Sequence, residues 1–264
     1  MTETAETPGS RGPRPSQSPH PHPPAPHALS DSDSSDPDSS DAPGRSPLTA
    51  SDLERAVQLA ISALGAAREK DWSVPAGSLR WDCWETVEHL ADSLLYYAAQ
   101  LAPERPPLSG PLPFAWGERR PEGPVNIVFL DREAGTAGLF QGLEACAGML
   151  AAMLRSRPPT TRAYHVYGVA DPEGFAAMGI VETLLHTYDI AEGLGIGWTP
   201  PADLCAGVIA RLFPQVPAGI AEPWPTLLWA TGRIALDGRP RRTEWRWYSA
   251  PHDEAPQAHT DGNA

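Results

Sequence analysis

The stretch Met178-Gly179-Ile180-Val181-Glu182-Thr183-Leu184-Leu185-His186-Thr187-Tyr188-Asp189-Ile190-Ala191 reads as helix, and the rest of the chain is organised around it. Glu182 and His186 are four residues apart, so at about 3.6 residues per turn they stack on one face. Asp189 follows three residues later on the same side. A carboxylate and an imidazole stacked in this way can share one divalent metal, as the two histidines of a helical HExxH motif do. The same spacing also describes a solvated pair on a helix surface. Two ligands do not complete a site; a third has to come from another element, and His89 is the candidate.

The helix carrying this stretch has clear ends. Asp171 is placed to cap it, Pro172 suits its first turn and Glu173 complements the dipole. Gly193 or Gly195 suits its C-terminal end. Glu182 and His186 therefore sit mid-helix, on a rigid platform. A second helix is predicted over 82–101, where Trp84, Val87, Ala91, Leu94, Ala98 and Leu101 recur by threes and fours before Pro103. His89 lies off that stripe, near Glu85, Ser93 and Tyr96. Such a position belongs either to a surface histidine or to one facing a second interior, such as a ligand cavity at the end of a bundle.

Two further helices flank these. One is predicted over 52–69 behind a capping box of Ser51 and Glu54. The other runs over 130–155, with Leu139, Leu143, Cys146, Leu150 and Met153 as its apolar face. The connection over 103–124 is rich in Pro and Gly around Phe114 and Trp116, and its length suits either a functional lid or an anchored linker. His165, in the short segment 163–168, reads as a substrate or supporting contact or as a structural loop residue. Past the fourth helix come a helix ending near Phe213, a short helix over 224–233 and an alternating strand over 243–248. The arginines at 233, 239, 241, 242 and 246 read as a hairpin surface. The chain thus divides into a disordered Pro/Ser/Asp-rich tail (1–48), a helical bundle (49–196), a small C-terminal α/β segment (197–250) and a second disordered tail (251–264). His20, His22 and His27, among the prolines of the first tail, are expected to be solvated.

Composition excludes several classes. The net charge is −13 over 264 residues, with no basic stripe of the kind phosphate binding needs, so no nucleic-acid partner is expected. Three widely spaced cysteines form no CxxC pair and no disulfide framework, which points to the cytoplasm. The N-terminus lacks the charged and apolar regions of a signal peptide. No run of about 18 apolar residues predicts a membrane span.

Three blocks form a wider pattern: Trp84-Glu-Thr-Val-Glu-His89-Leu90; Glu182-Thr-Leu-Leu-His186-Thr-Tyr188-Asp189-Ile-Ala-Glu-Gly-Leu-Gly195; and Trp224-Pro-Thr-Leu-Leu-Trp229-Ala-Thr-Gly232-Arg233. In these the chain resembles the DinB-like superfamily, and within it the actinobacterial mycothiol-dependent maleylpyruvate isomerase group. The resemblance implies a mainly α protein, an up-down-down-up four-helix bundle with a metal at one end, here followed by the small α/β extension. In the isomerase the metal is zinc held by two His and one Glu, which carried over by motif are His89, Glu182 and His186. Three protein ligands leave a fourth position open, where bound water has its pKa lowered or a thiol is held as thiolate. The resemblance favours the thiol, with mycothiol added or transferred to a small electrophile by a monomer or homodimer.

Asp189 then either orients a ligand histidine from behind or is a helix-face carboxylate. Tyr188 and Trp84, with Trp81 and Trp116, either line an apolar cavity or pack the core. No arginine cluster suited to a dicarboxylate is evident in the bundle helices. Two rival readings remain open: a non-catalytic metal- or ligand-binding stress or accessory module, and a metal-dependent hydrolase using bound water.

Overall fold

A computed structural model describes residues 46–251 and Glu254. The first helix, α1 (Ala50–Gly65), is capped by Thr49, whose hydroxyl accepts from the Asp52 N–H while the Asp52 carboxylate accepts from the Thr49 N–H. This box lies two residues before the predicted Ser51/Glu54 pair. Leu48 is buried and its N–H donates to Glu173 at 3.0 Å, which sets where the chain turns into the helix. The helix also ends at Gly65 rather than 69, because the following residues turn back so that Trp72 Nε1 can donate to the Ala67 carbonyl at 3.1 Å.

The next helix, α2 (Cys83–Leu101), starts at a reciprocal capping box of Asp82 and Glu85. A single 3₁₀ turn (Arg132–Ala134) leads into α3 (Gly135–Ser156). Then α4 (Pro172–Leu194) begins at Asp171, which accepts the Gly174 N–H at 2.7 Å, and closes on Gly195 in the left-handed conformation, φ 61°.

Side-chain contacts between helix ends define the directions. Glu54–Arg155 and Thr136 with the Arg68 carbonyl make α1 and α3 antiparallel. Asp82–Arg132 and Arg157 with the Ala102 carbonyl make α2 and α3 parallel. Leu48–Glu173 and Lys70 with the Leu194 carbonyl make α1 and α4 parallel. Tyr97–Glu182 and Cys83 with the Ile190 carbonyl make α2 and α4 antiparallel. The bundle is therefore up-down-down-up. The parallel α2–α3 pair needs a long return, and residues 102–131 supply it. Helices α1 and α2 each pack on α3 and α4, placing them across the diagonal from one another.

At the centre of the bundle lies Gly179 of α4. A Cβ there would come within 3.0–3.1 Å of Leu53, Leu94 and Leu150, one from each of the other three helices. All three leucines are fully buried, each contributing about 1.5–3 kcal/mol. Together with its 3₁₀ turn, α3 is long and apolar enough to cross a membrane. Its Leu139, Leu143 and Leu150 are nevertheless fully buried against α1 and α2, the setting of a core helix.

The C-terminal segment departs from the α/β expectation. It contains α5 (Ala202–Leu212) and α6 (Pro223–Ala230), and among the described residues no strand forms. Residues 243 and 244 bend and 245–249 carry no regular secondary structure, so the expected strand does not form. They lie along the helices instead: Tyr248 N–H donates to Leu212, Gln215 to the Arg246 carbonyl, and the buried Arg211 to the carbonyls of Tyr248, Ser249 and Ala250. The Trp245/Trp247 alternation records which side faces those helices, with Trp247 buried. Of the two predicted tails, residues 1–45 and nearly all of 252–264 lie outside the described residues.

Gly193, in the last turn of α4, allows the close approach of residues 75–83. A Cβ there would run into the Pro75 carbonyl oxygen and come to 2.9 Å from Cys83 Sγ. Gly193→Ala should lower stability by about 1–3 kcal/mol. Gly148→Ala, on an open face of α3, should be neutral or stabilising by up to about 1 kcal/mol. Urea denaturation of the two variants beside the parent checks both.

Candidate metal centre

Two helices supply the candidate ligands. His89 comes from the second turn of α2, Glu182 and His186 from the middle of α4. All three are buried, and a ligand atom of each lies within 4.8 Å of the others. His186 Nε2 is 2.9 Å from Glu182 Oε2. The His89 and His186 rings meet edge-on with centroids 5.4 Å apart, and Trp81 packs over His89 at 4.6 Å. The three sequence candidates are thus brought together.

Each is held from behind. Asp189 Oδ2 lies 3.3 Å from His186 Nδ1, and Arg233 grips the same carboxylate with two hydrogen bonds of 3.0 and 2.6 Å. Burial alone would raise the Asp189 pKa; Arg233 and His186 outweigh it and hold the carboxyl below its ordinary value. Asn126 Oδ1 lies 3.4 Å from His89 Nδ1. Tyr97 Oη donates to Glu182 Oε1 at 3.5 Å; burial and then the Glu182 charge keep this phenol protonated well above its usual range. In both histidines Nδ1 faces a supporting oxygen, which turns Nε2 toward the shared space.

His89 is buried because residues 117–130 cross the outer face of α2. Glu85 pairs with Arg120, Glu88 accepts Arg119 and the Leu130 N–H, and Asp92 accepts the N–H groups of Ile127 and Val128 at 2.7 and 2.8 Å. A backbone bridge between Gly117 and Asn126 holds the strap together.

The weaker candidates lie at differing distances from this centre. Asp189 is in direct contact with His186. Tyr188 turns away, edge-on to Trp224 of α6 at 5.9 Å. Trp84 carries Arg132 over its ring at 5.4 Å. His165 bonds Ser249 at 2.9 Å and stacks near Tyr97, through which it connects to Glu182. Three contributors escape the sequence reading. Arg233 reads in the sequence as part of a hairpin surface, although it closes the third quoted block. Tyr97 falls where an aromatic reads as core. Asn126 carries no signal in its neighbours.

The donor set suits a divalent metal: two imidazoles and a carboxylate, all buried. Burial pushes the His186 pKa down, but Asp189 and Glu182 outweigh it and raise it to about 9.

Fold and site together define a helical-bundle protein with a buried His–Glu–His candidate centre at one end. Residues 53–191 match the family described as the mycothiol maleylpyruvate isomerase N-terminal domain, and the chain belongs to that family. Comparison with curated proteins gave no match, and neither did comparison with solved structures. Arg233 lies beyond the matched residues, so the centre is completed from outside them.

Two outcomes follow from this geometry. His186 has a folded pKa above its unfolded value, so its contribution to the stability of the metal-free protein is complete below about pH 6.5 and is lost as pH rises through about 9. A metal bound there would take the place of the His186 proton. The melting temperature of metal-free protein should therefore fall between pH 6.5 and 9.5 relative to that of metal-loaded protein, as read by calorimetry of both forms. Arg233→Met should release Asp189 and weaken the binding of an added divalent metal by about 10–100-fold, measured by competition with a chromogenic chelator.

Proposed function

We propose that this protein is a metal-dependent enzyme, with zinc as the metal, that adds or transfers a low-molecular-weight thiol such as mycothiol to a small electrophile, in an isomerase-like manner. The observation that carries the reading is the convergence of His89, Glu182 and His186 within 4.8 Å in a member of a mycothiol-related family. A divalent metal bound there supplies an open Lewis-acid position that stabilises a thiol as its nucleophilic thiolate.

The residues of the chain have separable tasks in this scheme. His89 and His186 offer Nε2 and Glu182 offers Oε2. Asp189 with Arg233, Asn126 and Tyr97 keep these atoms aimed. Trp81 and the strap over 117–130 shield His89 from water. The chain's own thiols are poorly suited to act: burial raises Cys83 and Cys205 to about 12 and Cys146 to about 11. An external thiol is therefore the better source of the attacking sulfur, which forms a bond to one carbon of an activated double bond while a proton goes to the other.

Untagged protein should purify with, or take up, about one zinc per chain, and His186→Ala should lose it, as read by elemental analysis. Turnover of conjugated carbonyl electrophiles by the loaded protein should require added thiol. Turnover without thiol would replace this reading with hydrolysis by bound water. Retained metal with no turnover would leave a binding module.

A further inference from the structure

Two charged stretches of the chain take no part in the candidate metal centre beyond Arg233. Residues 233–246 carry arginines at 233, 239, 241, 242 and 246, a quarter of the chain's 20 basic residues. Ser30–Asp41 carries aspartates at 31, 33, 36, 38 and 41 and no basic residue. This acidic run lies outside the described residues.

Arg233 is engaged by Asp189. The other four arginines have no carboxylate partner among the described residues. Exposed arginines elsewhere do: Arg55 pairs with Asp203 and Arg155 with Glu54. Arg239 and Arg242 instead lie over the same ring, that of Trp229, at 5.6 and 5.1 Å from its centroid. Arg241 donates to the Gly232 carbonyl, and Arg246 lies over Tyr248 at 4.7 Å. The backbone that presents them is fixed. Leu236 and Arg239 bond to each other both ways across a turn in which Gly238 takes the left-handed conformation, φ 70°. Trp229 Nε1 donates to the Pro240 carbonyl at 3.0 Å, which seats the turn on α6. Two cations on one ring repel each other, and an anion laid across them relieves that repulsion.

Arg239, Arg241 and Arg242 border a cleft of about 420 Å³ with Trp229, Thr243 and Glu244. Glu244 pairs with none of the three, so the cleft stays cationic. It is open rather than enclosed. Sites for small ligands bury most of the ligand's surface; an open cationic cleft suits a length of chain with recurring acidic side chains. The acidic run has that form. Its aspartates are two and three residues apart, about 7–10 Å in extended chain. The residues between them are Ser and Pro, which add neither a cation nor bulk.

The run is also tethered on this side of the molecule. A Cβ at Gly207 of α5 would come to 2.9 Å from Leu48, and α5 packs on α6, which carries Trp229. From Ser46 back to Asp41 and Asp31 the chain can span up to about 17–50 Å.

We propose that the arginine cleft is the docking surface of the chain's own acidic run, Ser30–Asp41, held in cis. The inference goes beyond the proposed activity and does not rest on it. A short tether gives the run an effective concentration of about millimolar. Contacts that are individually weak at an exposed surface then act together. Nucleic acid has no such tether and is repelled by the chain's net charge of −13.

The test uses the full-length protein with nitroxide labels at Ala42→Cys, beside the run, and Ala235→Cys, on the exposed turn. The three native cysteines are buried. Pulsed dipolar spectroscopy reads the distance between the labels in three backgrounds: the parent, the five aspartates of the run replaced by Asn, and Arg239→Gln with Arg242→Gln. The parent gives a short, narrow distance component. In both other backgrounds the docked-to-undocked ratio falls about tenfold, and the distribution becomes long and broad. Dilution with unlabelled protein leaves the parent's short component unchanged. The Asn replacements touch no residue of the helical body, so their result stands whether or not the arginine variant folds.

A parent distribution equal to that of the Asn background overturns the proposal. A short component that survives loss of both arginines puts the run elsewhere and overturns it too. Loss of the short component on dilution makes the contact one between two copies. Its loss to millimolar inorganic phosphate at constant ionic strength makes the cleft a site for small anions. Either result overturns docking in cis.

Discussion

Glu85, Glu88, His89 and Asp92 occupy one buried face of α2, and a buried ionisable group without partners costs several kcal/mol. That constraint governs how the chain is arranged around this helix. Arg119 and Arg120 come from the long return between α2 and α3, as do the N–H groups of Ile127, Val128 and Leu130. Satisfying the acids therefore requires the return to lie along α2 rather than loop into solvent. Burial still pushes Asp92 up to about 7 against the two N–H groups it accepts. Once the strap is down, it carries Asn126 to His89 and closes that side of the candidate centre.

The opposite side is closed by the same kind of device from the C-terminal segment. Arg211 of α5 binds Asp171, the cap residue of α4, while Arg233 binds Asp189 near the other end of that helix. Both arginines reach carboxylates that burial would otherwise penalise. The helix bearing Glu182 and His186 is thus pinned near both ends by residues that follow the matched family region. Helix α5 then packs on the outer face of α4, with α6 against α5, which explains why α4 is apolar almost all round.

Helix α2 shows how a centre can be built from a helix that reads as singly amphipathic. Its apolar stripe packs α3 and α4, and its polar face is covered as completely by the strap. Periodicity detects the first face because packing selects large apolar side chains at three- and four-residue steps. It cannot detect the second, because buried carboxylates and surface carboxylates use the same residues. His89 stood on that second face, so spacing alone left it between surface and cavity.

The sequence by itself determined the four bundle helices, since caps and hydrophobic spacing act within a few residues of one another. Asp171 and Pro172 mark the start of α4, and Gly193 or Gly195 its end, of which Gly195 is the cap. Its Glu182-x-x-x-His186 pair was legible for the same reason, because a helix converts spacing into proximity. The entry to α1, the unpaired course of residues 243–248 and the roles of Asn126, Tyr97 and Arg233 were decided only in the tertiary structure. Each depends on a partner far along the chain: Glu173 for Leu48, Leu212 for Tyr248, His89 for Asn126, Glu182 for Tyr97 and Asp189 for Arg233. A local pattern cannot name such a partner, because what brings the two together is the cost of burying a polar group alone, and that cost arises only after the helices have packed.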